Sequence, residues 1–225
     1  MTRSTDTPAR RAAVIFDLDG VLTDTAELHY QSWQQTADRL GLPFHRAANE
    51  ALRGLGRAES LRRLLGAHWD DFSPAQRQSL MDEKNADYLR RVDEMSPADL
   101  FPGARELLEA LRSRGVRVAI ASGSRNADAV VERLGIRALL DVLVDGNHAE
   151  RSKPDPQVFQ LAAERLGVPP SDCVVVEDAA SGVAAARAAA MRVVGIGPAE
   201  RVGAADLVVP SVGALRVDAL LELLT

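Results

Sequence analysis

Three short apolar runs, each stopped abruptly by acidic or hydroxyl residues, constrain this chain more than any other feature. Ala12-Ala13-Val14-Ile15-Phe16 ends at Asp17-Leu18-Asp19-Gly20, Val116-Arg117-Val118-Ala119-Ile120-Ala121 at Ser122-Gly123-Ser124, and Cys173-Val174-Val175-Val176 at Glu177-Asp178. Apolar runs of this length read as strands buried on both faces, the mark of a parallel sheet. From Pro97 onward the spacing predicts helices Ala104–Arg114, Ala127–Leu134, Pro156–Leu166 and Ser181–Ala190. It also predicts strands Val142–Val144, Arg192–Ile196 and Leu207–Val209, and a closing helix. Such alternation implies an α/β fold, a Rossmann-like parallel sheet core wrapped by helices. Between about Asp24 and Asp93 the β-branched runs vanish and helical periodicity takes over. Helices are predicted over Glu27–Leu40 and Glu59–Leu65, with a third running to about Val92 from Ser73 as N-cap and Pro74 at the first helical position. That block reads as a helical insertion after the first strand.

The stops carry the chemistry. Residues i and i+2 leave a strand on the same side, so Asp17 and Asp19 can face one pocket at the strand's carboxyl end, where open α/β sheets bind ligands. Two carboxylates that close are costly unless a cation or a proton relieves them. A single acidic pair is weak evidence among 32 acidic residues, but here a hydroxyl (Ser122), a fixed cation (Lys153 in Ser152-Lys153-Pro154-Asp155-Pro156) and a second acidic pair (Glu177-Asp178) follow it in order. Together they make a site for a phosphate group and a divalent ion.

These residues resemble the haloacid dehalogenase (HAD) superfamily of phosphotransferases and, within it, the β-phosphoglucomutase family. The narrower resemblance rests on Phe16 to Glu27 with His29 and Trp33, on Leu52-Arg53-Gly54-Leu55-Gly56-Arg57, on Lys84-Asn85, and on Ser96-Pro97-Ala98-Asp99-Leu100-Phe101-Pro102-Gly103. It implies a core of residues 1–23 and 97–225 of the HAD type, with residues 24–96 as an inserted α-helical cap over the active site. It implies Asp17 as a nucleophile that forms an aspartyl phosphate, and Asp19 as the general acid and base. Mg²⁺ would be held by Asp17, the backbone carbonyl of Asp19, Glu177 and Asp178. Lys153, Ser122 and the Gly123 N–H would hold the transferring phosphate. Arg57, Ser124 and Asn126 would bind the phosphate that is not being transferred, although Asn126 equally suits the N-cap of the next helix. Thr25 and His29, four apart at the start of the first cap helix, would couple cap closure to Asp19, while Lys84, Arg53 and Trp33 would lie on the sugar side. Read without the resemblance, His29 is an ordinary surface histidine and Lys84 a lysine on a solvated helix face. The implied activity interconverts β-D-glucose 1-phosphate and glucose 6-phosphate through β-glucose 1,6-bisphosphate, with a sugar-phosphate phosphatase on the same fold as the alternative. Two departures stand out: Arg53 occupies a position where some relatives carry lysine, and Ala179 follows the second acidic pair where serine is frequent.

Composition narrows the remaining choices. The net charge of −5 gives no basic surface for nucleic acid. The single cysteine, Cys173, cannot form an internal disulfide and sits in an apolar strand, which suits a buried inert thiol. Residues 1–11 have no apolar core of a signal peptide, and no stretch of about 18 apolar residues appears. The expectation is a cytoplasmic monomer acting on a small sugar phosphate, with no membrane partner.

Overall fold

The computed structural model describes residues 12–52 and 55–224. Its centre is a six-stranded, wholly parallel sheet of β1 (Ala13–Phe16), β2 (Arg117–Ala121), β3 (Val142–Val144), β4 (Cys173–Glu177), β5 (Arg192–Ile196) and β6 (Leu207–Val209), in the order β3-β2-β1-β4-β5-β6. β1 lies at the middle, paired with β2 on one side and β4 on the other, so strand order reverses there and opens the crevice in which α/β sheets bind ligands.

The apolar runs work as their two-residue period requires. Val14 and Phe16 face one cluster with Leu107, Leu108, Val130, Val131 and Leu220, while Ala13 and Ile15 face another with Phe159, Ala162, Val183 and Ala186. The first layer is supplied by α5 (Ala104–Ser113), α6 (Ala127–Arg133) and α10 (Val217–Leu223), and the second by α7 (Gln157–Leu166), α8 (Ala180–Ala188) and the one-turn α9 (Ala199–Val202). Burial pushes the Cys173 thiol up to about 12, in keeping with an inert role.

The insertion between β1 and β2 contains α1 (Ala26–Leu40), α2 (Arg46–Glu50), α3 (Arg57–Leu65) and α4 (Pro74–Asp93). These helices bury a third cluster, Trp33, Leu52, Leu61, Leu65 and Leu80. Ser73 caps α4 as its sequence predicts, its hydroxyl accepting from Gln76 N–H while the Gln76 side chain accepts from Ser73 N–H. The far end of α4 belongs elsewhere: Tyr88 and Val92 sit in the cluster of the sheet. The two chain crossings between insertion and sheet are tied together. Thr23 Oγ1 donates to Asp99 O at 2.7 Å and Phe101 N–H to Leu22 O at 2.8 Å. Ser96 and Asp99 close a capping box on the return crossing, which gives the Ser-Pro-Ala-Asp segment a structural role there.

Candidate active site

Asp17 follows the last residue of β1, held by its N–H to Val176 O at 2.9 Å, so it emerges beside the end of β4. There Lys153 Nζ lies 2.5 Å from Asp17 Oδ1 and 2.8 Å from Glu177 Oε1, and donates to Ala121 O at 3.2 Å. The three side chains are 9%, 7% and 2% exposed for Asp17, Lys153 and Glu177, so one buried cation is shared by two buried carboxylates from neighbouring strands. Burial raises Asp17 well above the usual carboxylate range; Lys153 pulls it back down, whereas Glu177 and Asp19 add to the rise. Burial opposes the charge on Lys153, but Asp17 and Glu177 outweigh it and hold the ammonium above its ordinary value.

Two glycines make room for the second acidic pair. A Cβ on Gly182 would fall 1.7 Å from Glu177 Oε1, so the Glu177 carboxylate lies directly against the first turn of α8, where its Oε2 also accepts from Ala179 N–H at 2.6 Å. Gly20 turns the chain with φ +87°, and a Cβ there would fall 2.4 Å from Asp178 Oδ2. Asp178 therefore rests on the Asp19–Gly20 backbone, with Arg201 of α9 3.7 Å away.

This oxygen-rich corner suits a hard divalent cation in its donor chemistry, with the carboxylates of Asp17 and Glu177 on either side of Lys153 and that of Asp178 beside the Gly20 turn. Among the described residues no three His, Cys, Asp or Glu side chains form a ligand cluster by themselves. A cation here thus needs the backbone and its ligand's oxygens as well.

On the other side of the crevice, Ser122 is buried with its N–H on Val144 O, and its hydroxyl accepts from Ser124 N–H at 3.1 Å. Ser124 Oγ in turn accepts from Asn126 N–H. Asn126 occupies the N-cap position of α6, yet its side chain makes no cap; its amide donates instead to Asn85 Oδ1 of α4 at 2.8 Å. Arg57, at the start of α3, donates to that same oxygen at 2.7 Å. Burial and the nearby positive charge of Arg125 both depress the Arg57 guanidinium.

Above Asp19, Thr25 Oγ1 donates to the Asp19 carboxylate. Thr25 sits at the N-cap of α1 without capping it, and His29 N–H closes the first turn on Thr25 O. His29 stacks on Tyr88 with ring centroids 4.2 Å apart, and its Nδ1 is 2.8 Å from Lys84 Nζ. Lys84 is 3% exposed and lies over the rings of Tyr88 and Trp33 at 4.7 and 5.1 Å. Burial, helped by Arg57, brings Lys84 down to about 7, and burial followed by Lys84 holds His29 well below its ordinary value. Neither residue is the solvated surface group that its sequence context alone suggests. Arg53 lies outside the described residues.

Sequence reasoning missed Tyr88, whose buried hydroxyl has no hydrogen-bond partner, and Arg201. It also missed Asp145, 3% exposed at the end of β3, whose carboxylate holds Asn147 and contacts His148 Nδ1 at 2.8 Å. Asn147 donates onward to Arg125 O at 2.9 Å, bracing the loop that carries Ser122 and Ser124. The rule that found the two acidic stops, an acidic residue directly after an apolar run, also marks Asp145 after Val142-Leu143-Val144.

The parallel sheet thus carries an acid–lysine–acid centre at its switch point, with a helical block inserted after β1. The chain belongs to the haloacid dehalogenase-like hydrolase family, whose model matches residues 12–190. It is 41% identical over 212 residues to a β-phosphoglucomutase of Bacillus subtilis strain 168, covering 93% of this chain and 94% of that protein. A crystal structure of a β-phosphoglucomutase from Clostridium difficile superposes with a TM-score of 0.91 at 36% identity, covering 95% of this chain and 97% of that one. A phosphorylated carbohydrates phosphatase of Thermotoga maritima is 32% identical over 216 residues, covering 94% of this chain and 97% of that protein.

Proposed function

We propose that this enzyme is a β-phosphoglucomutase that interconverts β-D-glucose 1-phosphate and glucose 6-phosphate through β-glucose 1,6-bisphosphate. The observation that carries the reading is the hydrogen bond from Thr25 to Asp19, which ties the group beside the nucleophile to the N-cap position of the first helix of the helical block. We take residues 24–96 as the cap and the remainder as the core. Asp17 attacks phosphorus, forming an acyl phosphate bond as the bond from phosphorus to the sugar oxygen breaks. Asp19 gives its proton to the departing oxygen. In the other half a sugar monophosphate presents its free hydroxyl: Asp19 takes that proton as the oxygen attacks the phosphoryl group on Asp17, the acyl phosphate bond breaks, and the bisphosphate that forms then turns round for attack at its other phosphate. Lys153 favours the ionised form of Asp17 against the rise that burial imposes. Ser122 and the Gly123 N–H hold oxygens of the transferring phosphate, and Arg57 with Ser124 and Asn126 holds the distal one. Lys84 and Trp33 face the sugar. Mg²⁺, held by Asp17, the Asp19 carbonyl, Glu177 and Asp178, would supply the charge neutralisation that lets a carboxylate approach a phosphate dianion.

What distinguishes a mutase from a phosphatase on this framework is whether water reaches the aspartyl phosphate. If Asp19 takes up its working position only as α1 swings over the core, transfer to a sugar hydroxyl is favoured over hydrolysis. The test follows glucose 6-phosphate and inorganic phosphate in parallel, with Mg²⁺, either anomer of glucose 1-phosphate and a trace of the bisphosphate. Glucose 6-phosphate formed from the β-anomer alone, with little phosphate released, is the expected result. Stoichiometric phosphate release would make the protein a sugar-phosphate phosphatase.

A further inference from the structure

The loop that follows β3 supports the loop that follows β2. Ser122, the first residue past β2, is held by the sheet itself, its N–H on Val144 O at 3.0 Å. Further on the chain leaves the sheet, and two of its carbonyls are taken by the β3 loop: Gly146 N–H donates to Ser124 O at 3.1 Å and Asn147 Nδ2 to Arg125 O at 2.9 Å. The approach at Gly146 is close, since a Cβ there would fall 2.5 Å from Gly123 O. Asn147 is exposed, so its side chain needs an anchor, and the buried Asp145 supplies one. One Asp145 oxygen accepts from Asn147 N–H at 2.9 Å and the other from Asn147 Nδ2 at 3.0 Å. A carboxamide has two N–H bonds; with one spent on Asp145, the other is aimed at Arg125 O.

We propose that Asn147, aimed by Asp145, is a positioning residue for the distal phosphate: it fixes the Arg125 peptide so that Ser124 and Asn126, on either side of it, present their polar groups to the phosphate that is not being transferred. This rests on the reading of Ser124 and Asn126 as part of the distal clamp. A loop without the tie holds the competent arrangement for only part of the time, and the apparent affinity falls by that fraction. The transferring phosphate is served by Ser122 and Gly123, which lie on the strand side of the tie and are placed by β2 and Gly146. Asn147 therefore acts on one phosphate of a bisphosphate and spares the other.

Two phosphoryl donors separate these roles. β-Glucose 1,6-bisphosphate uses both phosphate positions, whereas a small acyl phosphate has no second phosphate and uses only the transferring one. Asn147→Ala removes the tie; Asn147→Asp keeps the shape, loses the donor and sets a second carboxylate against Asp145. Phosphorylation of the enzyme is followed with each donor over a range of concentrations, giving an apparent affinity and a maximal rate. Loss of one hydrogen bond should weaken apparent bisphosphate affinity about three- to tenfold in Asn147→Ala, and Asn147→Asp should weaken it further. The maximal rate with bisphosphate, and both constants with the acyl phosphate, should stay within about twofold of the wild type. Equal losses with the two donors would give Asn147 a general structural role and overturn the assignment. Unchanged bisphosphate affinity in both variants would overturn it as well. An Arg57→Ala control tests the underlying reading separately. Unchanged bisphosphate affinity in that variant would overturn the distal clamp itself, whereas a large loss there with none in the Asn147 variants would overturn only the role of Asn147.

Discussion

Replacing Lys153 by methionine tests the electrostatic centre of the site while sparing its packing, because methionine keeps the apolar stem that passes Phe159, whose ring centroid lies 4.7 Å from Nζ. The ammonium is 7% exposed and neutralises two carboxylates, Asp17 at 2.5 Å and Glu177 at 2.8 Å. Its removal leaves both acids buried with a lost partner. Breaking a buried ion pair in this way costs about 3–5 kcal/mol, and in a chain of this size each kcal/mol lowers Tm by roughly 2–4 °C. The expected loss is therefore about 6–20 °C. Its sign with pH follows from Asp17. That carboxyl is already raised by burial, and Lys153 is the first group that lowers it; without Lys153 it rises further. A carboxyl raised in the folded state favours folding at acidic pH and loses that contribution as pH rises through its folded value. The variant should accordingly fall furthest behind the wild type near pH 8 and recover toward pH 5. Phosphoenzyme formation should drop by at least about 100-fold, as when one preorganised charge is removed from a transition state. The measurements are urea or thermal unfolding at pH 5, 6.5 and 8, and rapid-quench labelling of the enzyme. A deficit below about 1 kcal/mol that is flat with pH would refute the argument.

Three smaller changes probe other parts of the structure. Thr25→Ala should reduce turnover about 10- to 100-fold, with about 1 kcal/mol of stability lost from the buried methyl group, whereas Thr25→Ser restores turnover; steady-state kinetics on the three proteins decides. Gly20→Ala places a Cβ 2.4 Å from Asp178 Oδ2 at a positive φ and should cost about 1–3 kcal/mol and most of the activity, read by urea unfolding and by Mg²⁺ titration of turnover. Ala190, just beyond α8, is exposed and holds φ +59°, so Ala190→Gly should raise stability by about 0.5–1 kcal/mol without touching kinetics, visible as a higher urea midpoint at constant slope.

Much of the architecture was legible because it is encoded locally. The strands Val142–Val144, Arg192–Ile196 and Leu207–Val209 have the bounds their apolar runs predict, and Ser73-Pro74 marks the start of α4 to the residue. The short helices α2 and α9 and the 3₁₀ turn Gly66–Asp71 were not legible, since four to six residues cannot show a helical period and such turns form only when packed. The same limit applies in the site. Asp17, Lys153 and Glu177 announce themselves as charges at strand ends, and the structure brings all three into contact across 136 and 24 residues. Which polar groups meet between block and core is a long-range matter. Asn126 sits where a helix cap would sit but reaches Asn85, 41 residues away, a contact that the sequence, which offers a cap or by resemblance a phosphate contact, does not show. Arg201 reaches Asp178 only because Gly197, whose own Cβ would fall 2.6 Å from that guanidinium, leaves the space.

The central claim is that the phosphoryl group on Asp17 passes to a sugar rather than to water, and the fate of a labelled phosphoenzyme tests it most directly. The protein is charged with ³²P from a small acyl phosphate, mixed with β-glucose 1-phosphate and Mg²⁺, and quenched on the millisecond scale. The account predicts that label leaves the enzyme far faster with sugar than without it and appears first in β-glucose 1,6-bisphosphate. Label appearing in inorganic phosphate at a rate the sugar does not change would contradict it.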